Sequence, residues 1–316
     1  MVATRVLLLA MLACPGCHGE LRGLDASLID GTVDCAGCGA AYPVRGAIPI
    51  LLPAGHDGAH AHDEIEHAHK RGQARYFDRA VAEEFEVDRP HGTPEAYGWL
   101  LGRKFRKSIE RLPSLAGATV VDACCGSGMD AEMLARAGAR VLAIDISEGC
   151  AARAKRRAER YGLEYAVAVG DVEQLPLRSG GADIAYVHDG LHHLAEPAAG
   201  VREMCRVARH GVSINEPADA LGTALMVRLG LALAREEAGN RVARLRGGEV
   251  AAVMAAAGFE TAARRSFMYY RHAPGALMRA ASHPVARPAY RGAAAIADAA
   301  LGRWGNKLQV TGRRAA

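Results

Sequence analysis

Four cysteines stand as two pairs, Cys14 with Cys17 and Cys35 with Cys38, each C-x2-C, with seventeen residues between the pairs. Such a pair can turn two thiolates toward one ion, and two pairs complete the tetrahedral four-sulphur shell of a structural zinc site. A closed shell has no open position for water, so this metal folds its module rather than catalysing. Two disulfides are the alternative reading, weakened by four further cysteines (Cys124, Cys125, Cys150, Cys205) scattered through the chain. A second group is Asp122, Cys124, Gly126 and Gly128, followed seventeen residues later by Asp145. A glycine-containing turn lets a ligand reach backbone N–H groups, and an acid ending the next strand can accept both ribose hydroxyls. The third group is His188, His192, His193 and, further on, Glu216. A neutral imidazole is the natural base near pH 7 for an acidic hydroxyl or an amine, and His192 is the first candidate. Glu216 reads as a second base or a hydrogen-bond partner of substrate, or as an exposed acid before Pro217.

The elements around these residues read as an alternating α/β chain. Thr119 to Val121 is a β-type run ending at Asp122, and Met129 to Ala137 is helical. Arg140 to Ile144 is a second strand ending in Asp145, followed by Ile146. Ala182 to Val187 is a fourth strand with His188 and Asp189 at its carboxyl end, where open α/β sheets place ligands. Val201 to Pro217 gives a helix and a fifth strand, and Leu221 to Ala238 and Gly248 to Ala257 are helical. Phe259 to Tyr270 is a strand, Pro274 to Gly305 helical, and Asn306 to Arg313 a last strand. The late helices suggest an apolar pocket wall or a homo-oligomer contact, and their arginines could bind an anionic substrate. Ahead of the core, Arg71 to Leu112 carries helical faces built on Tyr76, Phe77, Val81, Phe85, Tyr97, Trp99, Leu100, Phe105 and Ile109, read as packing or as a substrate lid. Gly55 to Lys70 holds five histidines and four acids without apolar periodicity. It reads as a solvated linker, although His62, Glu66 and His69 would share a helical face able to buffer metal.

The 316 residues are half apolar, 23% charged and 5% aromatic, enough for about two domains and against disorder or fibre. The formal charge of +4 rests mostly on arginine and says little about nucleic acid. Val6 to Ala13 is far too short to cross a bilayer, which takes about 20 apolar residues. That run before Cys14 imitates a short lipoprotein signal, but Cys14 belongs to the cysteine pattern, and Met11 could itself open the ribbon. The expected location is the cytoplasm.

After the second cysteine pair, AYPVRGAIPILLP (Ala41 to Pro53) follows. With the knuckles it resembles the small zinc-ribbon activator subunits of tRNA and protein methyltransferases, over about forty residues. The loop DACCGSG resembles motif I of the class I S-adenosylmethionine (SAM) methyltransferases, D-x-G-x-G-x-G, with Cys124 in place of the first glycine. GDVEQLPLRSGGADIAYVHDGLHHL (Gly170 to Leu194) is similar to the small-molecule branch of that superfamily. The second resemblance covers Arg71 to Tyr270 and the last strand. It implies a Rossmann-like, seven-stranded class I methyltransferase sheet behind the ribbon. The ribbon would take residues 11–53, a His-rich linker 54–70 and the methyltransferase domain 71–316, divided into helices 71–112, core 113–270 and a helical insertion with the last strand over 271–316. By carry-over, Asp145 holds the ribose, Asp171 accepts from the adenine amino group, Val172 offers a backbone N–H to the ring, and Ile146 and His188 belong to the cofactor site.

Two function classes follow. The first is methylation of a small-molecule acceptor at O, N or C, in which the donor is intrinsically reactive and the protein aligns it and removes a proton. The second is an RNA methyltransferase gripping nucleic acid with its ribbon. Against it, Gly16 to Gly39 carries one arginine and four acids, which is poor for phosphate. A third reading is a partner or activator without activity of its own. The D/N-P-P-Y/F tetrapeptide of exocyclic amino methylation is missing where HDGL stands, and no nucleophilic cysteine follows strand four or five.

Overall fold

The computed structural model describes residues 2–53, 64–79, 82–220, 228, 245–266 and 273–314. Its strands are β1 (Leu21–Arg22), β2 (Gly31–Cys35), β3 (Ala41–Arg45), β4 (Ile48–Leu51), β5 (Thr119–Ala123), β6 (Arg140–Asp145), β7 (Tyr165–Gly170), β8 (Ala182–His188), β9 (Ala208–Pro217), β10 (Glu260–Ser266) and β11 (Lys307–Arg313). The helices are α1 (Val2–Leu9), α2 (Glu64–Asp78), α3 (Glu83–Asp88), α4 (Glu95–Ile109), α5 (Met129–Arg136), α6 (Glu148–Arg160), α7 (Pro197–Val207), α8 (Gly247–Ala256), α9 (Ala276–Ala281) and α10 (Ala286–Leu301).

The core strands β7-β6-β5-β8-β9 are parallel, and β11 and β10 close the far edge antiparallel. These seven strands form the sheet that the resemblance implied. Their near-continuous apolar runs follow from burial on both faces. Val121, Ala123, Leu142 and Ile144 point to one hydrophobic core, whereas Val120, Val141 and Ala143 point to the other. Strand period two separates the faces.

The ribbon is continuous with that sheet. Its β4 pairs parallel with β7, Ile50 opposite Val169 and Leu51 opposite Gly170, so one sheet runs through eleven strands. An open β7 edge would leave a row of unpaired backbone groups, and β4 covers it. Leu12, Val33, Tyr42, Val44 and Leu51 of the ribbon are buried in the same core as Val121 and Ile144.

Three expectations change. Residues before Met11 form α1, whose Leu8 and Leu9 are buried in that shared core, so the folded part does not open at Met11. The linker expected to reach Lys70 gives way to α2 at Glu64, because tertiary contacts of His69 and Lys70 fix a segment that lacks apolar periodicity. The strand expected over Phe259 to Tyr270 occupies Glu260–Ser266 among the described residues. The expected helix Leu221 to Ala238 lies outside the described residues apart from Arg228, as do Val81, His56, His60 and His62, and with His62 the proposed metal-buffering face. No helix among the described residues is long and apolar enough to cross a membrane.

Candidate active site

β5 delivers Asp122 to the carboxyl edge, and the loop that follows turns back through Cys124 (φ 55°), Gly126 (φ 53°) and Gly128 (φ 78°). Left-handed backbone suits glycine and costs an L-residue about 1–2 kcal/mol. Cys124 nevertheless takes the conformation of the glycine it replaces. Room for its side chain comes from Gly190, where a Cβ would lie 2.3 Å from the Cys124 Cβ and 2.7 Å from its Sγ. Burial and the nearby Asp145 push the Cys124 thiol well above its ordinary value, so it stays a neutral packing group.

Asp145 ties the loop to β6. Its Oδ2 accepts from the Gly126 N–H at 2.9 Å and its Oδ1 from the Ser147 N–H at 3.0 Å. Ile146, half-buried, lies between Asp145 and Ser147, the residue that caps α6. Behind the loop, the buried Arg157 donates to Glu132 at 2.9 Å, to the Ser127 carbonyl at 2.9 Å and to the Glu86 and Arg89 carbonyls at 2.8 and 2.7 Å. One guanidinium thus joins α6, α5, α3 and the glycine turn.

Whether these residues suit SAM is tested by Asp122. Its Oδ2 is buried and finds no hydrogen-bond partner among the described residues. Burial, with Asp130 and Asp145 nearby, raises its carboxyl well above the usual range. A ligand ammonium would meet both deficits, which fits the amino-acid end of SAM. Asp171, at the start of the short 3-10 turn Val172–Gln174, spends Oδ1 on the Glu173 N–H at 2.9 Å and receives Lys70 Nζ on Oδ2 at 2.7 Å. Val172 is buried beside it. An adenine amino group at Asp171 would therefore share a carboxylate already joined to α2.

The loop after β8 carries the histidines. His192 is 5% exposed, with Nδ1 2.7 Å from Glu216 Oε2. Glu216 Oε1 accepts from the Gly190 and Leu191 N–H groups, each at 2.8 Å. Glu216 is fully buried, so the structure sets aside its reading as an exposed acid or a base open to substrate. Strand β9 ends pointing inward, and the carboxylate is spent on the His192 turn. Burial works to raise the Glu216 carboxyl, but the His192 charge and hydrogen bond outweigh it and hold it low. His193 stacks edge-on against Phe77, with centroids 5.2 Å apart, and its carbonyl takes the His69 Nε2 at 2.8 Å. His188 turns toward α5, its Nδ1 2.9 Å from Asp130 Oδ2, while Tyr186 donates to Asp130 Oδ1 at 2.8 Å.

Two lysines escaped the sequence reading. Lys104 of α4 and Lys307 at the start of β11 both reach Asp189, the former at 2.6 Å. Asp189 itself has φ 56°. A signal existed, because only five of the thirty-nine Lys and Arg residues are lysines, and Lys70, Lys104 and Lys307 are all inside this site.

In the ribbon, Cys14, Cys17, Cys35 and Cys38 bring their sulphurs within 4.8 Å of one another. Cys14 Sγ lies 3.6 Å from Cys38 Sγ, and Cys17 Sγ 3.3 Å from Cys35 Sγ. The backbone N–H of Cys38 lowers the Cys35 thiol, and the hydrogen bond with Cys35 raises that of Cys17 in turn, so the charge of the cluster is shared among its sulphurs. Four convergent sulphurs are the donor set that suits zinc.

A family model described as a methyltransferase domain matches residues 120–211, and one described as Trm112p-like protein matches residues 5–46. The chain joins a methyltransferase domain to a Trm112p-like ribbon. The methyltransferase domain is 36% identical over 109 residues to a ubiquinone biosynthesis O-methyltransferase of Ralstonia nicotianae, covering 33% of this chain and 44% of that one. It is 33% identical over 106 residues to a demethylmenaquinone methyltransferase of Beutenbergia cavernae, covering 34% and 42%. The chain spans less than half the length of these relatives. Magnesium protoporphyrin IX methyltransferase of Synechocystis PCC 6803, solved with bound SAH, superposes with TM-score 0.53 at 18% identity, over 78% of this chain and 100% of that one, a likeness of fold.

Proposed function

We propose that this chain is a SAM-dependent methyltransferase of a small-molecule acceptor, with His192 as the base and Glu216 as its positioning partner. The observation that carries the reading is the His192–Glu216 pair at the carboxyl ends of β8 and β9, at 2.7 Å, beside the glycine turn. Relatives named for quinone methylation support a small acceptor. Bound SAM supplies a sulfonium methyl, whose transfer forms one bond to the acceptor and breaks the methyl–sulphur bond with its electron pair left on sulphur. Glu216 accepts the Nδ1–H of His192 and so places the proton-accepting lone pair on Nε2. Gly126, Asp145 and Ile146 would line the ribose, Asp171 and Val172 the adenine, and Asp122 the amino-acid ammonium. His193 and His188 then shape the pocket, the first through Phe77 and the second through Asp130.

Zinc in the four-thiolate site would hold the ribbon, and through β4 the edge of the catalytic sheet. Cytoplasmic residence fits four further thiols outside the ribbon, free in the structure. An RNA methyltransferase finds no support in the acidic ribbon surface.

The test is calorimetry with SAM followed by transfer of labelled methyl to candidate small acceptors. His192→Ala should leave SAM affinity within about twofold and lower turnover by about 10² or more. A turnover loss under about fivefold would remove His192 as the base, and absence of SAM binding in the wild type would remove the reading as a whole.

A further inference from the structure

Asp189, His192 and Glu216 bring ligand atoms within 4.8 Å of one another, a grouping that could be taken for a metal site. Its surroundings argue otherwise. Glu216 already accepts from three N–H groups, and Asp189 receives the ammonium groups of Lys104 and Lys307. A divalent cation there would face two fixed positive charges. Both lysines are nearly buried, with side-chain exposures of 3% and 8%, whereas Asp189 keeps 29%. Its left-handed backbone, φ 56°, is a strained conformation for a non-glycine residue, of the kind that persists where structure or function over-determines it. Burying lysine is costly unless its charge is matched, and Asp189 is the carboxylate within ion-pair distance of Lys307 among the described residues.

We propose that Lys307, backed by Lys104, is the seat for the anionic oxygen of the acceptor, which makes the acceptor an ionisable hydroxyl of the phenol type, and that Asp189 holds the lysine pair in place for it. The inference rests on the methyl-transfer reading and names its substrate class. Because Asp189 lies beside His192, an oxygen seated on Lys307 is also within the neighbourhood of the base, so the group recognised is the group that reacts. Lysine suits the task, since its ammonium is a compact point charge with rotatable donors, able to turn from Asp189 to an incoming oxygen. Burial pushes Lys307 down to about 8, opposed by Asp189. Facing it are Asp189, Lys104, Glu216 and the His192 that Glu216 holds.

The experiment uses the full-length, zinc-loaded chain with S-adenosylhomocysteine and 4-nitrophenol, whose anion absorbs in the visible, with 4-nitroanisole as the uncharged control. The wild type should bind the phenolate in preference, so that the visible absorbance rises at lower pH than in buffer, and affinity for the anion should fall as pH passes through about 8. Lys307→Met should weaken phenolate binding at least tenfold with unchanged S-adenosylhomocysteine affinity, and Lys307→Arg should retain it within about threefold. Equal binding of nitroanisole, an unaltered Lys307→Met, or a tenfold gain on adding Mg²⁺ would each overturn the proposal. Should Lys307→Met not fold, the wild-type comparison of 4-nitrophenolate with 4-nitroanisole decides, an anion preference under about threefold counting against it. Failure of S-adenosylhomocysteine to bind the wild type would instead sink the methyl-transfer reading, while the phenolate titration still reports on Lys307.

Discussion

Cys124 shows how one residue can break a motif and keep its shape. The glycine it replaces is recoverable from φ 55°, but the space for the thiol comes from Gly190, sixty-six positions later. Gly190→Ala should therefore destabilise the protein by about 1–3 kcal/mol through overpacking, and Cys124→Gly should restore most of that in the double variant. Urea melts of the four proteins measure the coupling, and additive effects would show that the contact is not the cause. Asp122 makes a second case. Its carboxyl is raised well above the usual range by burial first and then by Asp130 and Asp145. A folded state that holds a proton the unfolded chain has released loses stability as pH rises above the unfolded carboxylate value. Asp122→Asn should thus raise the melting temperature of the ligand-free protein at pH 8 more than at pH 4.5, and weaken SAM by about tenfold or more. A melting temperature that falls at pH 8 would reverse the assignment.

At the level of elements, β4 converts an appended ribbon into a strand of the parallel sheet. Each of the two residue pairs it makes with β7 closes an edge that the parallel core would otherwise expose. The purified chain should carry about one zinc, read by metal analysis. Stripping it, or Cys14→Ser with Cys35→Ser, should lower the melting temperature of the whole protein in one transition, with new binding of a hydrophobic dye. Two separate transitions, the second unchanged, would mean that ribbon and core are energetically independent. Helix α2 is the other element with reach, because Lys70 holds Asp171 and Glu173, each at 2.7 Å, and Asp78 takes the Ser147 hydroxyl at 2.8 Å. It spans the carboxyl edge from Asp171 to the start of α6.

For the whole molecule, net charge is +4, and arginines such as Arg157, Arg160 and Arg206 are already neutralised by carboxylates rather than free to meet phosphate. Phosphate contacts would declare themselves as affinity falling steeply with salt, several counterions being released together. Transfer RNA and ribosomal RNA fragments should bind weakly at 150 mM salt and leave methylation of a small acceptor undisturbed, measured by anisotropy and competition. Tight binding with a steep salt slope would move the protein to the nucleic-acid class.

Much of this was legible in the residues alone. Local signals sufficed wherever the chemistry is written in consecutive positions: the two C-x2-C knuckles, the DACCGSG turn, and the strand ends at Asp145 and His188, with the parallel core following from the βαβ alternation and the family resemblance. They carry the proposal of SAM and zinc chemistry because backbone geometry follows from glycine, proline and period. Tertiary structure alone decided the rest. Glu216 read equally as a second base, a partner of substrate or an exposed acid before a proline, and it is fully buried on His192, since which way a strand end points depends on the next strand over. Lys104, Asp189 and Lys307 come from α4, the β8 loop and β11, and meet only because β11 lies antiparallel beside β9. The start of α2 had no periodicity to reveal it, as its order comes from ion pairs and hydrogen bonds made across more than a hundred residues of chain.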